Sequence, residues 1–265
     1  AVSASAHGGG DMGGVDKILA ELDSLHKVEH VREHLSDLQD ALVVADREGL
    51  DKAQFLNNYV FVGSPGTGKT TVARVLARML HALGALASDT VVEVTGHDLQ
   101  GSYVGQTKDK LNDLFRKATG GLLFIDEAYS LGQGHFSTEA MEQLIALCTA
   151  KEHLHKTCVV LAGYTKAMDK MMTSTNEGMA SRFKERLEFP DWDASDCVAA
   201  LAKSCRKAGV SLLPDAAQVV ESGLANLRAA TKGWANARDA VTTHEFLFKA
   251  RAKRTRHAPE DAPTF

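Results

Sequence analysis

Apolar positions recur every three or four residues through Val15, Ile18, Leu22, Leu25, Val28, Val31, Leu35, Leu38 and Leu42. That spacing draws one apolar stripe along a helix and predicts a long amphipathic helix over about 16–46. Beyond it the period changes. Short apolar runs rich in β-branched residues, at 59–62, 91–94, 122–125, 158–162 and 187–189, alternate with stretches of helical spacing. Runs apolar on both faces suit strands buried on both sides, so the alternation predicts a parallel sheet flanked by helices. After Phe189-Pro190-Asp191-Trp192 the strand pattern stops, and helices are expected at about 195–208, 214–228 and 235–252. The expected organisation is a large α/β domain over 15–190, a hinge near 190–194 and a small all-helical lid domain over 195–252. Residues 1–14, small and polar with Gly8-Gly9-Gly10, read as a flexible linker, and 253–265 as a loose tail.

The glycine-rich segment behind the first apolar run carries the chemistry. Gly63-Ser64-Pro65-Gly66-Thr67-Gly68-Lys69-Thr70 fits G-x-x-x-x-G-K-[ST] at every fixed position, and helical spacing resumes from Thr71. Strand, loop and helix thus come in the order of a phosphate cradle. The glycines let backbone N–H groups turn onto phosphate oxygens, and the helix N-terminus adds its positive end. Lys69 is placed to reach the β- and γ-phosphates of a nucleoside triphosphate, and the Thr70 hydroxyl to ligate Mg²⁺.

A second signature follows 57 residues after Lys69, where Leu122-Leu123-Phe124-Ile125 ends in Asp126-Glu127. A buried strand ending in two acids delivers charge to the carboxyl edge of an α/β sheet. Asp126 is the expected metal partner opposite Thr70, and Glu127 the expected general base for the attacking water. The doublet favours hydrolysis over a small-molecule kinase or a simple GTP switch.

Charge and cysteine usage narrow the partners. With 30 basic against 34 acidic residues the net charge is −4, which gives no electrostatic case for nucleic acid or an anionic membrane. No apolar run approaches bilayer-spanning length. The four cysteines (Cys148, Cys158, Cys197, Cys205) form no CxxC pair, so neither a zinc site nor a disulfide framework is indicated and a reduced compartment is expected. The eleven histidines are scattered, with no ligand-spaced pairing to an acid. The chain starts without methionine or a signal pattern and is expected to be a fragment or a processed product.

GSPGTGKTT, LLFIDEAYSL, GHDLQGSYVGQT (96–107), VVLAGYTKAMDKM (159–171), NEGMASRF (176–183) and WANARDA (234–240) occur in the order found in AAA+ ATPases. Over roughly 15–252 the chain most resembles their CbbX/CfxQ group, which includes red-type Rubisco activases and sporulation- and secretion-associated relatives. The resemblance implies an AAA+ P-loop fold with a helical lid, nucleotide held at their junction, and assembly into a hexameric ring that uses Mg·ATP to remodel a protein client. Rubisco is the best-known client of the group. It implies that Arg182 is an arginine finger reaching a neighbouring subunit's γ-phosphate, and that Arg238 is the sensor 2 arginine. Tyr103, with Val104 and Gly105, matches the first pore loop, and Gly132-Gln133-Gly134-His135-Phe136 the second. Two departures stand out. Leu161-Ala162-Gly163-Tyr164-Thr165 lacks the usual polar sensor 1, a role left to Tyr164 or Thr165. Met179 occupies a position where many relatives carry a further arginine. The alternative reading is an ATP-dependent assembly switch that threads nothing; a silent scaffold fits poorly with Lys69, Thr70, Asp126, Glu127, Arg182 and Arg238 all present. The cytoplasm or a plastid stroma is the expected setting.

Overall fold

The computed structural model describes residues 12–99, 105–133, 137–174, 178–231 and 233–255. They divide into two compact units: one takes in residues up to 23, 28–62 and 69–188, and the other 24–27, 63–68 and 189 onward.

The first unit is built on β1 (Tyr59–Gly63), β2 (Val91–Thr95), β3 (Leu122–Asp126), β4 (Cys158–Gly163) and β5 (Glu185–Phe189), ordered β2-β3-β4-β1-β5. β1 pairs with β4, β4 with β3 and β3 with β2, all parallel. Every residue of β1 and β4 is buried, which is why these segments read as unbroken apolar runs rather than alternating ones. The helices are α1 (Met12–Leu19), α2 (Glu29–Arg47), α3 (Lys69–Ala82), α4 (Gly96–Leu99), α5 (Gln106–Ala118), α6 (Ser137–Thr149), α7 (Thr165–Ser174) and α8 (Gly178–Arg182). The fold is the expected α/β class: a parallel sheet flanked by helices. α3, following the glycine-rich segment, buries Val72, Val75, Leu76, Met79 and Leu80 on one face. Its outer residue Arg78 makes a bidentate pair with Glu21 at 2.7 and 2.6 Å, holding the 3₁₀ turn Ala20–Ser24 against the helix.

The second unit carries α9 (Ala194–Lys207), α10 (Pro214–Ala230) and α11 (Ala237–Thr255) around a small core of Trp192, Cys197, Leu224 and Ala240. A capping box starts α9: the Asp193 side chain accepts from Asp196 N at 2.9 Å, and the Asp196 side chain from Asp193 N at 2.8 Å. Pro214 opens α10, where its missing N–H costs nothing.

Three expectations are corrected. The helix expected over 16–46 is two helices separated by a 3₁₀ turn and the segment 25–28, with Lys27 left-handed at φ 57°. Tertiary ties draw this segment out of helical register. Lys27 Nζ pairs with Asp193 and Asp196 at 3.0 and 2.7 Å, and the His26 ring packs edge-on to Trp192 at 4.9 Å. A 3.6-residue period runs through such a break unseen. Residues 12–14, expected in the linker, form the start of α1, because Val15 and Leu19 are buried and set the helix in place. Residues 253–255, expected in the tail, continue α11. Among the described residues, no helix is long and apolar enough to cross a membrane.

Candidate functional site

The glycine-rich loop belongs to the second unit and is shaped by hydrogen bonds to its carbonyls. Thr67 Oγ1 donates to Ser64 O at 2.8 Å, Asn236 Nδ2 to Pro65 O at 3.0 Å, and Ala237 N–H to Gly66 O at 3.1 Å. In a trans peptide the C=O and N–H point to opposite sides. Fixing the Pro65 and Gly66 carbonyls on one side therefore turns the Gly66 and Thr67 N–H groups to the other. Gly66 sits at φ 75°, and a Cβ there would lie 2.1 Å from Ala235 O, so this approach to the backbone just ahead of α11 is possible only for glycine. Arg238, exposed in the first turn of α11, runs its stem alongside: its Cγ is 3.3 Å from the same Cβ position. Amides turned away from the tethered carbonyls, with an arginine in the adjoining turn, are groups suited to an anion.

Lys69 follows Gly68 directly and opens α3, with only 8% of its surface exposed; Thr70 and Thr71 fill out the first turn. The sheet register places the acids. Val62 is level with Gly163, Ile125 with Leu161, and Thr95 with Asp126, so the carboxyl ends of β1, β4, β3 and β2 form one edge. One strand separates β1 from β3, which sets their backbones about 10 Å apart.

At that edge Asp126 Oδ1 accepts from Glu127 N at 2.9 Å, and Glu127 adopts the left-handed conformation at φ 49°. A non-glycine residue held there is uncommon, and such strain concentrates at functional sites. The turn is pinned by Ser130, fully buried, whose N–H and Oγ both donate to Glu127 O at 2.9 Å. His97, just past β2, brings Nε2 to 3.3 Å from Glu127 Oε2. Tyr129 lies beside the doublet, with its ring 6.0 Å from that of Tyr164 at the end of β4. Burial first, and the Glu127 carboxylate second, raise the Tyr129 hydroxyl above its ordinary pKa. Tyr164 and Thr165 are both exposed.

Arg182 closes α8, where its Nη1 donates to Gly178 O at 3.3 Å and Ser181 Oγ at 2.6 Å. Met179 and Phe183 on either side are buried in the core and anchor the segment. That accounts for methionine at 179: the position faces inward, and an arginine there would bury its charge. Tyr103 and Val104 lie outside the described residues, as do Gly134, His135 and Phe136. Gly105, at φ 85°, caps α5, and Gly132 and Gln133 close the 3₁₀ turn that follows Glu127.

His97, Tyr129, Ser130 and Asn236 were not singled out by sequence. His97 faces Glu127, and His34 and His26 lie 3.9 Å from Glu185 and Asp196. These partners meet across strands and units of chain far apart in sequence. For Asn236 a signal existed, since asparagine ahead of a helix tolerates the left-handed region. Taken unit by unit, the donor chemistry suits a nucleoside triphosphate with a divalent cation: the loop amides could meet phosphate oxygens, and in the first unit Lys69 offers a cation and Thr70 and Asp126 hard oxygen donors.

The model of the ATPase family associated with various cellular activities (AAA) matches residues 59–191. Protein CfxQ of Xanthobacter flavus is 35% identical over 232 residues, covering 84% of this chain and 72% of that protein. Stage V sporulation protein K of Bacillus subtilis is 35% identical over 185 residues, 68% of this chain and 56% of that protein. ESX-3 secretion system protein EccA3 of Mycolicibacterium smegmatis is 37% identical over 195 residues, 71% of this chain. The chain spans only 56% and 32% of the lengths of the latter two.

Proposed function

The chain belongs to the AAA family of ATPases, with relatives of the CbbX/CfxQ kind, and from that premise we propose that it hydrolyses Mg·ATP in a ring of identical subunits to remodel a protein client. The observation that carries the reading is the fixed direction of the loop amides, with Lys69 next in the chain and Asp126-Glu127 closing a strand of the same sheet. Loop 63–68 and Lys69 bind the phosphates, and Thr70, Thr71 and Arg238 complete the contacts. A cation held by Thr70 and Asp126 would neutralise charge on the phosphoryl oxygens. Glu127 orients the attacking water and takes its proton. Arg182 acts on the nucleotide of an adjacent subunit, where a guanidinium offsets charge developing in transfer. That arrangement makes turnover depend on assembly, a hexamer by family resemblance.

A protein client is supported by the same resemblance, which makes Tyr103 the residue that grips it and Rubisco one candidate. The relatives' names attach to sporulation and secretion as well. Four free, buried cysteines support a reducing compartment such as cytoplasm or plastid stroma.

Titration with a fluorescent ATP analogue tests the reading. Lys69→Ala should abolish binding, whereas Glu127→Gln should bind as wild type and release no phosphate, because an amide is a very poor base. Undiminished affinity in the first variant, or normal turnover in the second, contradicts it.

A further inference from the structure

Asn236 has 0% of its surface exposed and sits left-handed at φ 56°, one residue ahead of α11. Its side chain is engaged on both sides. Oδ1 accepts from Trp192 N at 2.6 Å and Trp234 Nε1 at 3.1 Å; Nδ2 donates to Pro65 O at 3.0 Å and Asp191 Oδ1 at 3.4 Å. Two donors on one side and two acceptors on the other fix the amide's orientation. Its own carbonyl accepts from Cys197 Sγ at 3.6 Å in α9. The residue is thus tied to the start of α9, the start of α11 and the glycine-rich loop at once.

We infer that Asn236 is a positioning residue: through the Pro65 carbonyl it sets the loop amides for phosphate and couples their direction to the start of α11. The inference rests on the loop being the phosphate site. Pro65 O held by Asn236 fixes the Gly66 N–H, and Gly66 O held by Ala237 N–H fixes that of Thr67. Both tethers come from the two residues immediately before Arg238. A shift at the head of α11 therefore turns the amides, and by reciprocity phosphate bound to the amides holds the head of α11. Few side chains can replace Asn236. Aspartate keeps the acceptor and the left-handed backbone but loses the donor to Pro65, and glycine keeps only the backbone.

The test compares Asn236→Asp and Asn236→Gly with wild type in three readings: ADP affinity, steady-state KM and kcat for ATP, and residue-resolved hydrogen exchange without nucleotide. Loss of one buried hydrogen bond should raise KM and the ADP Kd about tenfold while kcat stays within about twofold. Exchange of the Ala237 amide, bonded to Gly66 O, should quicken about tenfold, with the interior amides of α10 unchanged. Trp234→Phe, which removes one donor to Oδ1 and spares the Pro65 bond, should leave affinity as in wild type. If wild type itself binds no ADP, the nucleotide reading fails; quickened Ala237 exchange in the variants would still support the tether, and unchanged exchange would refute it. Where wild type binds, unchanged affinity in a folded variant overturns the inference. Should neither variant fold, Asn236 is a structural keystone only, and the inference is overturned as well.

Discussion

His97 Nε2 stands 3.3 Å from Glu127 Oε2, so the residue proposed as general base meets a histidine delivered by the neighbouring strand. The register of β2 against β3, with Thr95 level with Asp126, makes the encounter. Both side chains remain open to solvent, at 57% and 42%, so the pair adds little to stability. Its effect is to orient a carboxylate on a left-handed backbone. His97→Ala should lower kcat by up to about fivefold, the limit set by an exposed pair worth about 1 kcal/mol. ATP affinity and melting temperature should hold. Steady-state kinetics beside a thermal melt check this, and an unaltered kcat would remove His97 from the site.

The turn after Glu127 is also held by a close approach. A Cβ at Gly96 would lie 2.4 Å from Ser130 Oγ and 2.7 Å from Glu127 O. Gly96→Ala must therefore displace the turn that carries Glu127. Overpacking of this kind costs about 1–3 kcal/mol. Chemical denaturation should record that loss, and phosphate release should slow while ATP still binds. Wild-type turnover and stability together would mean that the turn yields freely.

The strands, the turn of the glycine-rich loop and the acidic end of β3 were legible because each is written locally. β1 and β4 are apolar on both faces, and the loop is a contiguous eight-residue pattern. The break between α1 and α2 was not legible. It depends on Lys27 reaching Asp193 and Asp196, 166 and 169 positions along, while the apolar period continues through it. His97 and Ser130 escaped for the same reason: what makes them notable is strand register and a buried turn, neither of which has a sequence period. Asn236 lay inside a recognised motif, yet its burial and its bond to Pro65 belong to the fold.

The start of α9 predicts an acid dependence. Bonds from the Ser195 hydroxyl and the Asp196 N–H, together with Lys27, hold the Asp193 carboxyl well below its usual 3.8. A carboxyl depressed on folding stabilises fully above the unfolded value and loses that contribution as pH falls below about 4. Lys27 is raised above 10.5, by Asp196 and then Asp193, so its share is complete below that value and fades only in alkali. Asp193→Ala should cost about 1 kcal/mol at neutral pH, the size of a lost cap. The gap to wild type in urea unfolding should close on acidification below about pH 4. A gap independent of pH would show that the carboxylate's charge plays no part.

The central claim, that active sites are shared between subunits, is tested most directly by mixing two defective proteins and measuring ATPase activity. Arg182→Ala alone should lose roughly 10³-fold of activity, the low end for removal of an arginine finger. Its own subunit should bind ATP almost as before. Lys69→Ala should be inactive for a different reason, its own nucleotide site, while its Arg182 is intact. Combined, they should form rings in which that Arg182 faces an intact nucleotide site, and activity should rise well above the sum of the separate proteins. A mixture no more active than that sum, from subunits shown by mass to co-assemble, would contradict the account and leave Arg182 a surface residue.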